Sequence, residues 1–223
     1  MNGSRWARIA AACGLGFAVS YILILLVSGN NPQDGDSDQK IASWYASHSH
    51  QVREFIIFFI GAVGALLFIW FLSHLLSLVR RASGEGSIAS TVVLISGTAF
   101  VTLFAVMGAL FAGPAFVLID AGHKFTLDPN TFRVINGLGA MAYMGAFILL
   151  APVAFTVGAV AWRTGVLPRW LAVLSFVGGV GALASPIWFP SFLAVAWILV
   201  LSVYLVIRRP APARVATPAT AAA

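Results

Sequence analysis

Charge is what this sequence has least of. Of its 223 residues only 9% are Asp, Glu, Lys or Arg, while 60% are hydrophobic. A soluble domain is about 25% charged and about 45–50% apolar, so a water-soluble enzyme is excluded. Disorder of the whole chain is excluded too, because it needs charge in place of apolar residues. Cysteine is the next scarcity: the lone Cys13 rules out a disulfide within the chain, a CxxC redox pair and a zinc knuckle. No HExxH, no GxSxG elbow and no phosphate-binding glycine loop occurs. The lysines, Lys40 and Lys124, lie outside the apolar runs, which excludes a retinal Schiff base. His74 is the histidine within such a run, so haem held between helices by two histidines is excluded as well.

What is present is apolar length. Uncharged runs cover 9–33, 55–79, 86–119, 134–162 and 170–207, and a hydrocarbon core about 30 Å thick takes about 20 apolar residues per helix. As one helix the last run would reach about 57 Å at 1.5 Å per residue, too long for a single span. Its middle, Ser185-Pro186-Ile187-Trp188-Phe189-Pro190, carries helix-breaking prolines and interfacial aromatics, so it reads as a hairpin between two spans. The expected fold is an all-α membrane bundle of six transmembrane helices, over about 9–28, 55–79, 89–113, 134–161, 168–185 and 191–207. These make one membrane domain, 1–209. A β-barrel would show alternation instead of continuous runs. The first stretch is long for a signal peptide and lacks an A-x-A site, so it is expected to stay as a membrane helix.

The net charge of +6 is a matter of orientation. Arg5, Arg8, Arg80, Arg81, Arg163, Arg169, Arg208, Arg209 and Arg214 fall on one side of a six-span arrangement, with Glu85 as the acid there. Lys40, Arg53, Lys124 and Arg133 share the other side with Asp34, Asp36, Asp38, Glu54, Asp120 and Asp128. The positive-inside rule then puts both termini in the cytoplasm of a bacterial inner membrane, with attraction to anionic lipid on that face. The partners expected are the lipid bilayer and a membrane-protein partner or second copy. No basic, aromatic-laced surface for nucleic acid is visible.

Between the first two spans, Ile41, Trp44, Tyr45, His48 and Val52 recur at helical spacing. The segment 37–52 is therefore expected as a short outer amphipathic helix, lying on the membrane or capping the bundle mouth. Asp36 and Gln39 resemble its capping box, and Asp128-Pro129-Asn130-Thr131 reads as a helix start. Pro114 is expected to end or kink the third span and Pro152 to kink the fourth. Small residues four apart, such as Gly178 with Ala182 and Gly181 with Ser185, suit close helix packing within the molecule. The Ala/Pro/Thr-rich tail 210–223 reads as disordered and cytoplasmic.

Two sets of side chains are candidates for chemistry. His74 shares a helix face with Ser77 and Arg81, a polar stripe at the inner mouth that suits a proton or a substrate group, or simply an interfacial histidine. On the outer face His48, His50, His123 and Asp120, with Asp128 and Glu54, are residue types that ligate zinc or copper. His48 and His50 stand about 200° apart on a helix, so a solvated loop surface is the competing reading. No other cofactor is expected. Arg53, Glu54, Arg133 and Asn136 read as polar anchors at the outer helix ends.

The segments Asp38-Gln39-Lys40-Ile41-Ala42-Ser43-Trp44-Tyr45-Ala46-Ser47-His48, Trp70-Phe71-Leu72, Leu127-Asp128-Pro129-Asn130-Thr131 and Thr164-Gly165-Val166-Leu167-Pro168-Arg169-Trp170-Leu171 are similar to a family of small six-helix integral membrane proteins of actinobacteria. The resemblance covers about 37–207. It implies the six-helix topology and a cytoplasmic-membrane address, and it carries no activity, since that family is a domain-of-unknown-function group. The expectation is a non-enzymatic membrane protein, either a small transporter or an accessory subunit. The alternative is a metal-dependent sensor or enzyme built on the outer histidines. An enzyme acting on lipid through His74 and Arg81 comes last.

Overall fold

A computed structural model describes residues 3–122 and 125–208; the tail 210–223 and His123 lie outside the described residues. Within them the regular structure is all helical, with no strand: α1 (Gly3–Ser28), α2 (Asp38–Ala46), α3 (His48–Ser83), α4 (Ile88–Ala121), α5 (Pro129–Thr164), α6 (Arg169–Leu183), a 3-10 turn (Ser185–Ile187) and α7 (Ser191–Ile207). Four helices are long and apolar enough to cross a membrane, namely α1 over Arg5–Ser28, α3, α4 and α5. The apolar α6 and α7 are shorter, 15 and 17 residues. The apolar helices fit an integral membrane protein.

Local chemistry sets the boundaries. Ser87 caps α4 by accepting from the Ser90 N–H. Asp128 does the same for α5 through the Thr131 N–H, with Pro129 in the first turn, where its missing N–H costs nothing. Gly165 ends α5 at φ 67°, ψ 14°, a left-handed conformation open to glycine. The expected hairpin at 185–190 is present between α6 and α7.

Two expectations need correction. The amphipathic segment is not one helix over 37–52: Ser47 is extended (φ −85°, ψ 116°) and separates α2 from α3. Ile41 and Tyr45 are buried against Ala115 and Phe132, whereas His48 and Val52 are exposed. The break lets α2 cap the bundle end while α3 runs along it; a straight helix would do only one of these. Second, the cap of α2 is Ser37, whose Oγ accepts from the Lys40 N–H, and not Asp36. Of the two outcomes expected at Pro114, the helix does not end there, since α4 runs on to Ala121; α5 runs through Pro152.

The six long or apolar helices form a closed ring. Each of α1·α3, α3·α4, α4·α5, α5·α6, α6·α7 and α7·α1 is a packed pair. Its centre is aromatic: Phe17, Phe68, Phe100, Phe104 and Phe147 meet at centroid distances of 4.7 to 5.9 Å. In lipid, close packing and buried hydrogen bonds hold helices together, and α6 shows both. A Cβ on Gly178 would lie 2.6 Å from Trp197 Cβ, and one on Gly181 would collide with the Pro190 carbonyl oxygen. The fully buried Trp197 donates its indole N–H to Ser175 Oγ at 2.9 Å. These small residues pack within the molecule.

Candidate binding cavity

The ring is plugged at mid-height and hollow toward one end. A cavity of about 400 Å³ is lined by α1, α3, α4, α5 and Trp188, a size at which small-molecule sites occur. Along α1 its lining begins at Tyr21, and along α3 it runs from Glu54 to Ala62. Phe17 and Phe68, the plug, come next on those helices toward the other end.

A clasped segment covers this cavity. Leaving α1 at Gly29 (φ 54°), the chain crosses the opening and is pinned to α5. Arg133 donates from Nε to the Asp34 carbonyl (3.0 Å), and from Nη2 to the Asp36 carbonyl (2.9 Å) and to Asp38 Oδ1 (2.8 Å). Asn136 Nδ2 donates to Asp34 Oδ1 at 2.7 Å. Asp36 bridges within the segment, accepting from the Gln33 N–H and from Lys40 Nζ, each at 2.8 Å. Those donors hold its carboxyl below the ordinary value, the Gln33 N–H contributing most.

Glu54 is the acid in the cavity lining. It is 5% exposed, and its one hydrogen bond comes from Asn31 Nδ2 at 2.6 Å. The neighbouring Arg53 does not pair with it. That guanidinium donates to Asn31 Oδ1 at 2.7 Å and lies 4.6 Å over the Trp44 ring. An ionised carboxylate has about four acceptor positions, so most of the capacity of Glu54 is unused. Tyr45 of α2 also lines the cavity; burial first, and then the Glu54 carboxylate, push its phenol well above the ordinary value.

Across the cavity a hydroxyl relay has a fixed direction. Ser191 Oγ donates to the Trp188 carbonyl, which commits its proton, so it accepts from Tyr143 Oη. Tyr143 Oη then accepts from Tyr21 Oη at 3.1 Å. The Tyr21 oxygen keeps lone pairs to offer a ligand, but no proton. Trp188 holds the far end in a γ-turn, φ 65° and ψ −62°, with the Phe189 N–H donating to the Ile187 carbonyl at 2.8 Å. That conformation is strained for a non-glycine residue. It lays the indole on Tyr143 at 4.5 Å and 16°.

The residues expected to act are placed as follows. His50 stacks on Trp44 at 3.8 Å, with Nδ1 against the Trp44 carbonyl at 3.0 Å, which commits one ring nitrogen. His48 and Asp120 are exposed, and Asp128 is used as a helix cap. Among the described residues no three His, Cys, Asp or Glu side chains gather to hold a metal. His74, Ser77 and Arg81 do come together, in a cleft of about 660 Å³ at the opposite end of the bundle. Sequence reasoning saw Glu54, Arg133 and Asn136 as anchors. It missed the cavity, the Asn31 bridge and the tyrosine relay; the available signal was an acid placed directly before a 25-residue uncharged run. Comparison with family models, curated proteins and solved structures finds no match to this chain.

Proposed function

We propose that this chain is a non-enzymatic, six-span protein of a bacterial cytoplasmic membrane, with both termini in the cytoplasm, and that it works as a small transporter. In this reading the cavity beneath the clasped segment is the outer loading site. The family resemblance and the positive-inside asymmetry support the topology and orientation. The observation that carries the function is Glu54, a buried carboxyl with a single partner at the edge of a 400 Å³ aromatic-walled cavity. A carboxylate buried without a cation is costly, and a ligand that brings a positive charge offsets that cost.

The ligand class is therefore a small apolar body bearing a protonated amine. The amine meets Glu54, and the body lies against Phe58, Phe104 and Phe111. Of the two non-enzymatic forms, the transporter is favoured over an accessory subunit because a filled bundle would serve the latter equally well. A panel of arylalkylamines, with phenethylamine first and 2-phenylethanol as the neutral analogue, tests this by thermal shift on detergent-purified protein. The amines should stabilise the wild type, the alcohol should not, and Glu54→Gln should lose the difference. If no amine on the panel stabilises the wild type, or if Glu54→Gln responds as the wild type does, the cation reading fails.

A further inference from the structure

At the end of the bundle opposite Glu54, arginines from three helices line one cleft. Arg8 of α1, Arg81 of α3 and Arg208 at the end of α7 line one cleft of about 660 Å³, together with His74. None of the three makes an ion pair among the described residues; Arg208 Nη1 donates to the Val166 carbonyl. The acid Glu85 lies in a separate recess that Arg80 and Arg81 also line. Three exposed cations on one cleft make it electropositive, which favours an anion there.

The walls identify which kind of anion. Trp6 and Trp70 stack at 5.9 Å and 13° beside the arginines, and they are 46% and 51% exposed. Leu78 and Leu205 continue the apolar surface. Guanidinium groups next to a tryptophan pair at a helix end match a phosphate diester with acyl chains attached. We infer that this cleft binds the phosphate of an anionic phospholipid, whose chains lie along Trp6 and Trp70. The inference is independent of the ligand in the Glu54 cavity.

The purified protein, exchanged into neutral detergent, is offered phosphatidylglycerol or phosphatidylcholine with the same chains, and retained lipid is counted by native mass spectrometry. The expected preference for the anionic lipid is at least about tenfold. The triple variant Arg8→Gln, Arg81→Gln, Arg208→Gln should bring the preference close to one. Arg81→Gln alone should reduce it severalfold, which keeps the test open if the triple variant does not fold. Equal retention of the two lipids, or a preference unchanged in Arg81→Gln, overturns the inference. A parallel arm with sodium phosphate separates the sources: thermal stabilisation by phosphate alone equal to that by phosphatidylglycerol, and lost in the variants, would overturn the lipid assignment in favour of a soluble anion.

Discussion

Asn31 Nδ2 stands 2.6 Å from Glu54 Oε1, while Asn31 Oδ1 accepts from Arg53 Nη2 at 2.7 Å. One amide thus keeps two adjacent, opposite charges apart. It gives one hydrogen bond to the acid and takes one from the base, and leaves Glu54 facing the cavity without its own cation.

Removing that bridge should be costly. Asn31→Ala strands a buried acceptor, and the loss should be about 1–3 kcal/mol, read from thermal or denaturant unfolding in detergent. Glu54→Ala in the same background should add less than it does alone, because the two side chains share one interaction. Strict additivity in that double-mutant cycle would show that the bridge contributes nothing.

Arg133 is the pin of the covering segment. Arg133→Ala should speed amide hydrogen exchange across 33–46 while leaving α6 and α7 protected. Arg133→Lys should not restore protection, because a single ammonium cannot reproduce the guanidinium fork that reaches Asp34, Asp36 and Asp38 together. Full recovery with lysine would reduce the clasp to simple charge attraction.

Small residues should divide by what faces them. Gly178→Ala puts a methyl 2.6 Å from Trp197 Cβ, and overpacking of this kind costs about 1–3 kcal/mol. Gly113→Ala in α4 meets nothing within 4 Å, so it should be neutral, or stabilise by up to about 1 kcal/mol through helix propensity. Melting temperatures of the two variants, measured side by side, check the contrast.

Acid should loosen the loop at Asp36. Its folded-state value is lowered by the Gln33 N–H and Lys40, so its contribution is present above the ordinary Asp range and is lost as pH falls through the lowered folded value. A carboxyl carbon titration by NMR should give a midpoint below 3.8 for Asp36. In Lys40→Ala the midpoint should rise part of the way back. A midpoint at or above 3.8 in the wild type would mean that the Gln33 bond does not form in solution.

The sequence by itself determined the class and the path of this chain. Apolar length, the prolines of 185–190 and the scarcity of charge dictate a helical bundle with a hairpin between α6 and α7, because a helix in lipid satisfies its own backbone. Asp128 was legible as the start of α5, since capping is local chemistry. The same locality explains the errors: Ser37 and Asp36 both suit a cap, and periodicity through 41–52 cannot register the extended Ser47. Tertiary structure alone decided the candidate site. Glu54 meets Asn31 from 23 positions away, Arg133 meets Asp34 from 99 and Tyr21 meets Tyr143 from 122. No spacing rule links such residues; closing the ring brings them together. The cavity is likewise a property of the ring, the volume left where the aromatic plug stops short of the clasped end.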